Sequence, residues 1–203
     1  MKESTKFLRV TYTLATPVLH LLYPFDVRGA ENVPTDHPVV LCGNHAHAVD
    51  PILMRVALPK DVGVRIMAKK ELMDVPLLGG FLGRLGAFGV DRGHSDLNAV
   101  KTAIKTIRDG EHLMVFPEGT RVKHEGEVQP KGGVVMIAMR TGAPLLPVYV
   151  GKPNKLFHKT HIVFGEPYEP KTASRHGTAE EYQAYADEIV RRAYDLGREF
   201  EKQ

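Results

Sequence analysis

The sequence predicts a single α/β domain in which a β-sheet is flanked by helices, and three observations point there. Short apolar, β-branched runs alternate with segments of helical period. Capping residues stand where the helical segments begin. A chain of 203 residues, 43% apolar and 25% charged, can bury one well-packed core, and no repeat, low-complexity tract or linker divides it.

The first segment has apolar residues at Phe7, Val10, Leu14, Val18, Leu21 and Phe25, with Lys6, Arg9, Thr13, Thr16 and His20 repeating that spacing on another face. This is the pattern of an amphipathic helix. Pro17 removes a backbone donor and crowds the preceding turn, so two short helices joined at a hinge are expected. Such a segment can pack on its own domain or lie in a membrane interface, and the pattern leaves both open. A transmembrane anchor is not expected, because no apolar run nears the ~18 residues of a bilayer span. The richest stretch, Phe7 to Phe25, is interrupted by Arg9, Pro17 and His20, with no small-residue cleavage site clearly following it.

Strands are expected at 38–42, 62–68, 87–90, 112–116 and 145–150. The last of these contains Pro147 and follows Pro144, so it is expected to be neither central nor regular. A helix is expected from Asp50 to Leu58, where Pro51 suits the first turn and Asp50 can cap it. Ser95 can cap a second helix whose buried face is Leu97, Val100, Ile104 and Ile107, ending near Gly110. A third covers Gly132 to Arg140. The last begins at a capping box, Thr178 with Glu181, and packs Tyr182, Tyr185, Ile189, Ala193, Leu196 and Phe200 on the sheet; no site is assigned to it.

Net charge is only +3, but residues 178–203 hold seven acids and four bases, which leaves +6 on the rest of the chain. A basic body suits phosphate-bearing substrates, anionic membranes or nucleic acid alike. The single cysteine, Cys42, excludes an internal disulfide and makes a reducing cytoplasm the simplest compartment.

The densest chemistry is Asn44-His45-Ala46-His47-Ala48-Val49-Asp50-Pro51, directly after an apolar strand, where α/β proteins place their sites. Residues five apart on a helix point about 140° away from each other, so His45 and Asp50 meet only if the chain turns between them. A loop over 44–49 with the helix starting after it permits that. The Asp50 carboxylate would then accept from one imidazole nitrogen and leave the other free to take a proton. The plainer alternative is an N-cap beside an ordinary polar histidine. His45 and His47 also form an H-x-H pair, but a catalytic metal site needs a third ligand or more, and no second cluster of ligand type follows; no metal is expected.

Phe116-Pro117-Glu118-Gly119-Thr120-Arg121 ends another strand. Gly119 permits close approach or positive φ, and Arg121 offers a forked donor to phosphate oxygens. Glu118 can orient that arginine or bond a substrate hydroxyl; a solvated turn is the alternative. Gly86-Ala87-Phe88-Gly89-Val90-Asp91-Arg92 delivers Arg92 at a strand end, and Leu146-Pro147-Val148 lies in the proline-bearing strand.

In this order and spacing the chain resembles the glycerophospholipid acyltransferase family, most closely 1-acylglycerol-3-phosphate acyltransferases of the bacterial PlsC type. N-H-x-x-x-x-D matches Asn44, His45 and Asp50; G-x-F-x-x-x-R matches Gly86, Phe88 and Arg92; F-P-E-G-T-R is complete from Phe116 to Arg121; and a V/L-P-V strand matches Leu146 to Val148. The likeness runs from about Phe25 to Val150. Val122 stands where the family often has serine, and Gly89 replaces a usually bulkier residue or proline. The resemblance implies a central mixed sheet over residues 26–203, preceded by an N-terminal two-helix membrane-binding segment over residues 1–25.

It further implies His45 as general base with Asp50 holding its tautomer, and Arg92 and Arg121, joined by Lys69 or Lys70, gripping the acceptor phosphate. Asn44, Gly86, Phe88, Glu118, Gly119 and Thr120 would bind or orient substrate. The donor would be acyl-CoA or acyl-carrier protein, the acceptor a lysophospholipid. No cofactor and no nucleic acid are implied, and the protein would sit monotopically on the cytoplasmic face of the membrane. A metal-dependent hydrolase using His45, His47 and Asp50 and a non-catalytic lipid-binding protein are the competing readings.

Overall fold

Alternation of buried runs with amphipathic helices produces a sheet covered on both faces. The computed structural model describes residues 2–59, 62–91, 96–151, 156–171 and 177–202, and of residues 2–10 the backbone alone. The strands are β1 (Phe25–Arg28), β2 (Val40–Gly43), β3 (Val64–Lys69), β4 (Ala87–Val90), β5 (His112–Val115), β6 (Leu145–Val150) and β7 (Thr160–Phe164). They form one seven-stranded sheet in the order β1-β7-β6-β2-β5-β3-β4. Every neighbouring pair is parallel except β6 with β7, so the sheet is mixed. All four residues of β2 and of β5 are buried, as expected of parallel strands covered on both faces.

Successive residues of a strand face opposite ways, and this splits the core in two. Leu41, Ile66 and Met114 pack with Leu53 and Met54 of α2 (Asp50–Ala57) on one face. Val40, Cys42 and Leu113 pack on the other, against α5 (Leu97–Arg108), α6 (Gly133–Thr141) and α7 (Ala179–Glu201). Each apolar side chain taken wholly out of water contributes about 1.5–3 kcal/mol.

The expected strands all form, with ends shifted by a residue or two. The capping box of α7 is made in both directions, Glu181 N–H to Thr178 Oγ1 and Thr178 N–H to the Glu181 carboxylate. Other expectations are corrected. The N-terminal segment is one helix, α1 (Lys2–Leu22), with Pro17 inside it, and not two hinged pieces. It spans the width of the sheet: the Tyr12 hydroxyl reaches the Leu85 carbonyl just before β4, and the chain enters β1 at Phe25. The Arg55 guanidinium lies 4.5 Å above the Tyr12 ring and fastens α1 to α2.

The cap of α5 is Asp96, whose carboxylate accepts from Asn98 N and Ala99 N, while Ser95 lies outside the described residues. Strand β6 is interior, paired on both sides, despite Pro147. The Pro147 carbonyl accepts from Gly165 N, just past the end of β7, so the missing N–H falls where pairing on that side stops. A Cβ on Gly165 would stand 2.8 Å from the Pro147 ring. Strands β1 and β7 and the short helices α3 (Lys70–Met73) and α4 (Leu78–Arg84) were not foreseen; α4 carries three glycines, and β1 buries only Phe25.

Candidate active site

Strands β2 and β5 are parallel neighbours, so the chain leaving each emerges at the same sheet edge. Past Gly43, the Asn44 side chain extends the pairing with β6: its Nδ2 donates to the Val150 carbonyl at 3.1 Å and its Oδ1 accepts from Val150 N at 2.7 Å. Asn44 is buried and both ends of its amide are used on Val150, so it fixes where the chain departs.

The chain then turns, with Asp50 N–H donating to the His47 carbonyl, and α2 starts at Asp50. The turn brings His45 Nδ1 to 3.1 Å from Asp50 Oδ2. That oxygen also accepts from Ala46 N and His47 N, each at 2.7 Å. A buried carboxylate is stabilised by such donors and by the helix N-terminus on which it sits. His45 remains 13% exposed. With Nδ1 facing a carboxylate, the neutral ring keeps its proton there and presents the lone pair of Nε2.

Phe116 and the residues after it wrap this histidine. The Phe116 ring lies 4.4 Å from the imidazole. Glu118 Oε2 accepts from His45 N at 2.7 Å, and Val122 N donates to the His45 carbonyl at 2.8 Å. The second Glu118 oxygen accepts from the Tyr194 hydroxyl of α7 at 2.9 Å. Burial pushes the Glu118 carboxyl up from its ordinary range, and burial together with that carboxylate pushes the Tyr194 hydroxyl up, so the phenol stays the donor. Both Glu118 oxygens are thus engaged within the protein, and one of them pins the backbone of His45. Val122 serves through its backbone N–H, which explains why valine is acceptable there.

A family model described as Acyltransferase matches residues 24–151. The 1-acyl-sn-glycerol-3-phosphate acyltransferase of Bacillus subtilis (strain 168) is 33% identical over 185 residues, 88% of this chain and 91% of that protein. The chain belongs to the acyltransferase family. The protein of the same name from Borreliella burgdorferi is 34% identical over 142 residues, 68% of this chain and 55% of that one. The crystal structure of the 1-acyl-sn-glycerophosphate (LPA) acyltransferase, PlsC, from Thermotoga maritima superposes with a TM-score of 0.65 at 30% identity, covering 96% of this chain and 78% of that chain.

Within this acyltransferase two residues of the second motif are supports and do not line the His45 site. Gly86 has φ +91°, and a Cβ there would stand 2.8 Å from the Val64 carbonyl oxygen. Phe88 is buried in the core on the α5 side. Gly89 allows α3 to sit on β4, since a Cβ would meet Lys70 Cα at 3.1 Å. Arg92 lies outside the described residues. Gly119 turns the third motif with φ +67°.

The expected cations differ from the base in their freedom. Arg121 and Thr120 are exposed, as is Lys70 at the start of α3. Lys69 ends β3 and pairs with Glu71 at 3.0 Å, an exposed contact that a substrate phosphate can replace. Lys131 was not foreseen: its stem runs beside Gly119, and its N–H holds the Pro117 carbonyl. It lines a cleft of about 660 Å³ whose walls also include Met67, Val100, Val115, Val134 and Ile137, together with Glu118 to Thr120. The sequence shows those walls only as helix and strand faces, so the cleft becomes visible once α5 and α6 are packed beside β5.

Among the described residues no group of three His, Cys, Asp or Glu is placed to hold a metal, and Asp50 Oδ2 is already used by three donors. Cys42 is buried and its thiol is pushed up by burial, which leaves it a core residue.

Proposed function

We propose that this acyltransferase moves a fatty acyl group from a thioester donor, acyl-CoA or acyl-carrier protein, to the sn-2 hydroxyl of 1-acyl-sn-glycerol-3-phosphate, giving phosphatidic acid for phospholipid biosynthesis. The observation that carries this reading is the His45–Asp50 pair, held from both backbone sides by the Phe116–Val122 loop. His45 Nε2 takes the proton of the acceptor hydroxyl as its oxygen bonds the thioester carbon. The C–S bond then breaks, and the proton passes from the imidazolium to the leaving thiolate. A positioned base of this kind supplies about 10²–10⁴-fold in rate. The phosphate supplies orientation, with Arg121, Lys69, Lys70 and Arg92 as its grips.

No helix among the described residues is long and apolar enough to cross a membrane. Tyr12 of α1 faces the domain, whereas Leu14, Val18 and Leu21 form an outward apolar stripe. This supports α1 as an interfacial helix that holds the enzyme monotopically on one leaflet, which we propose is at the cytoplasmic face. The test is purified protein given acyl-CoA or acyl-carrier protein with a panel of lysophospholipids, products read by mass spectrometry. Phosphatidic acid from 1-acylglycerol-3-phosphate is expected with at least one donor. Transfer to no glycerophosphate acceptor contradicts the reading, and a preference for another headgroup replaces the acceptor.

A further inference from the structure

Among the described residues only two that are not glycine have a positive φ: Leu77 at 64° and Phe157 at 63°. Bulky side chains rarely adopt that conformation, and where they do the surroundings or a function hold them there. Both are also exposed, Leu77 to 93% and Phe157 to 66%. A strained backbone that presents a large apolar side chain to water serves no packing purpose within the fold.

Their placement gives them a common direction. Phe157 lies between β6 and β7, on the connection that leaves the carboxyl end of β6, and its N–H donates to the Leu22 carbonyl at the end of α1. Leu77 lies between α3, which begins at the carboxyl end of β3, and α4, which returns along the sheet to the start of β4. Both tips therefore project at the edge where His45 emerges. In the strand order β7-β6-β2-β5-β3-β4 they stand on opposite flanks of β2 and β5, which deliver His45 and Glu118. Four strand spacings separate the flanks, about 19 Å.

Each tip has apolar company, and the connection around Phe157 is basic as well. Val75, Leu78 and Phe81 are exposed beside Leu77, and Leu156 beside Phe157. Residues 152–159 contain three lysines and no acid, with Lys159 also pairing to Asp26 at 2.7 Å. In the other connection Lys69 and Lys70 are balanced by Glu71, which pairs with Lys69, and by Asp74. Two apolar tips, one of them in a lysine-rich connection, are complementary to an anionic bilayer surface, where the side chain leaves water and the charge stays at the headgroups.

We propose that Leu77 and Phe157 are two bilayer anchors that straddle the active site, dip into an anionic leaflet, and together with the outward stripe of α1 fix the tilt at which His45 faces the lipid. This rests on the membrane reading above. The chain has no tryptophan, so Leu77→Trp, Phe157→Trp and, as a control at the opposite sheet edge, Arg108→Trp each give one fluorescent reporter. On phosphatidylglycerol-containing vesicles, emission at 77 and 157 is expected to shift to the blue and be quenched by brominated acyl chains, with no change at 108.

The double variant Leu77→Ser with Phe157→Ser is expected to lose at least about tenfold in vesicle partitioning, while its turnover of a water-soluble short-chain acceptor stays at the wild-type level. Vesicle binding without a lipid response at 77 and 157 overturns the anchors and leaves α1 as the sole contact. No vesicle binding by the unsubstituted protein overturns the membrane reading with them. A blue shift that grows with protein concentration in the absence of lipid assigns the tips to a second copy of the chain and overturns the proposal.

Discussion

His45 and His112 sit at opposite ends of adjacent parallel strands, and their surroundings give one residue type two uses. His112, at the amino end of β5, is buried, and its Nδ1 accepts from Val39 N at 3.0 Å. Burial holds its pKa down at about 4, and the ring is a neutral structural acceptor. His45, at the carboxyl end of β2, faces a carboxylate with Nδ1 and keeps a partly exposed ring. The difference lies in what each Nδ1 meets. A backbone N–H demands the lone pair and consumes it, whereas a carboxylate demands the proton and leaves the far nitrogen basic.

The largest expected effect is at His45. His45→Ala lowers kcat for acyl transfer by about 10³-fold or more while the circular dichroism spectrum is unchanged; a variant with undiminished transfer removes His45 from the chemistry. Next is acid stability. Since the folded pKa of His112 lies below the ordinary 6.5, the unfolded chain binds more protons between the two values. Stability is therefore full above about 6.5 and is lost as pH falls toward 4, by about 3 kcal/mol. Denaturant titrations of His112→Gln should show this slope flattened, with turnover at neutral pH unchanged. The smallest effect concerns the exposed grips. Arg121→Ala should raise KM for the acceptor about tenfold with little change in kcat, since the guanidinium is free in the described structure and acts by binding phosphate.

Much of this architecture is legible in the sequence because it rests on local rules. Helix geometry, with a proline after Asp50 to set where α2 can begin, permits His45 to meet Asp50, and the family resemblance selects that pairing over a plain N-cap. The capping box of α7 is readable from Thr178 and Glu181 alone. What stays hidden depends on partners distant in the chain. Asn44 is a polar residue in a motif until its amide is seen on Val150, and Glu118 is an acid beside an arginine until His45 N and Tyr194 are seen on its two oxygens. The interior place of β6 depends on β7 ending opposite Pro147, which no spacing within β6 reveals. The apolar face of α1 was legible as a stripe, but not that Leu14, Val18 and Leu21 point outward.

The central claim is that the loop after β5 acts through His45, with Glu118 holding the backbone of the base. A double-mutant cycle of kcat/KM for acyl transfer to 1-acylglycerol-3-phosphate tests it most directly. Glu118→Gln leaves one acceptor oxygen for two donors and should cost about tenfold in the wild-type background, yet almost nothing when His45 is already alanine, because the group it positions is gone. Equal losses in both backgrounds would show that Glu118 serves the reaction independently of His45, and would contradict the account.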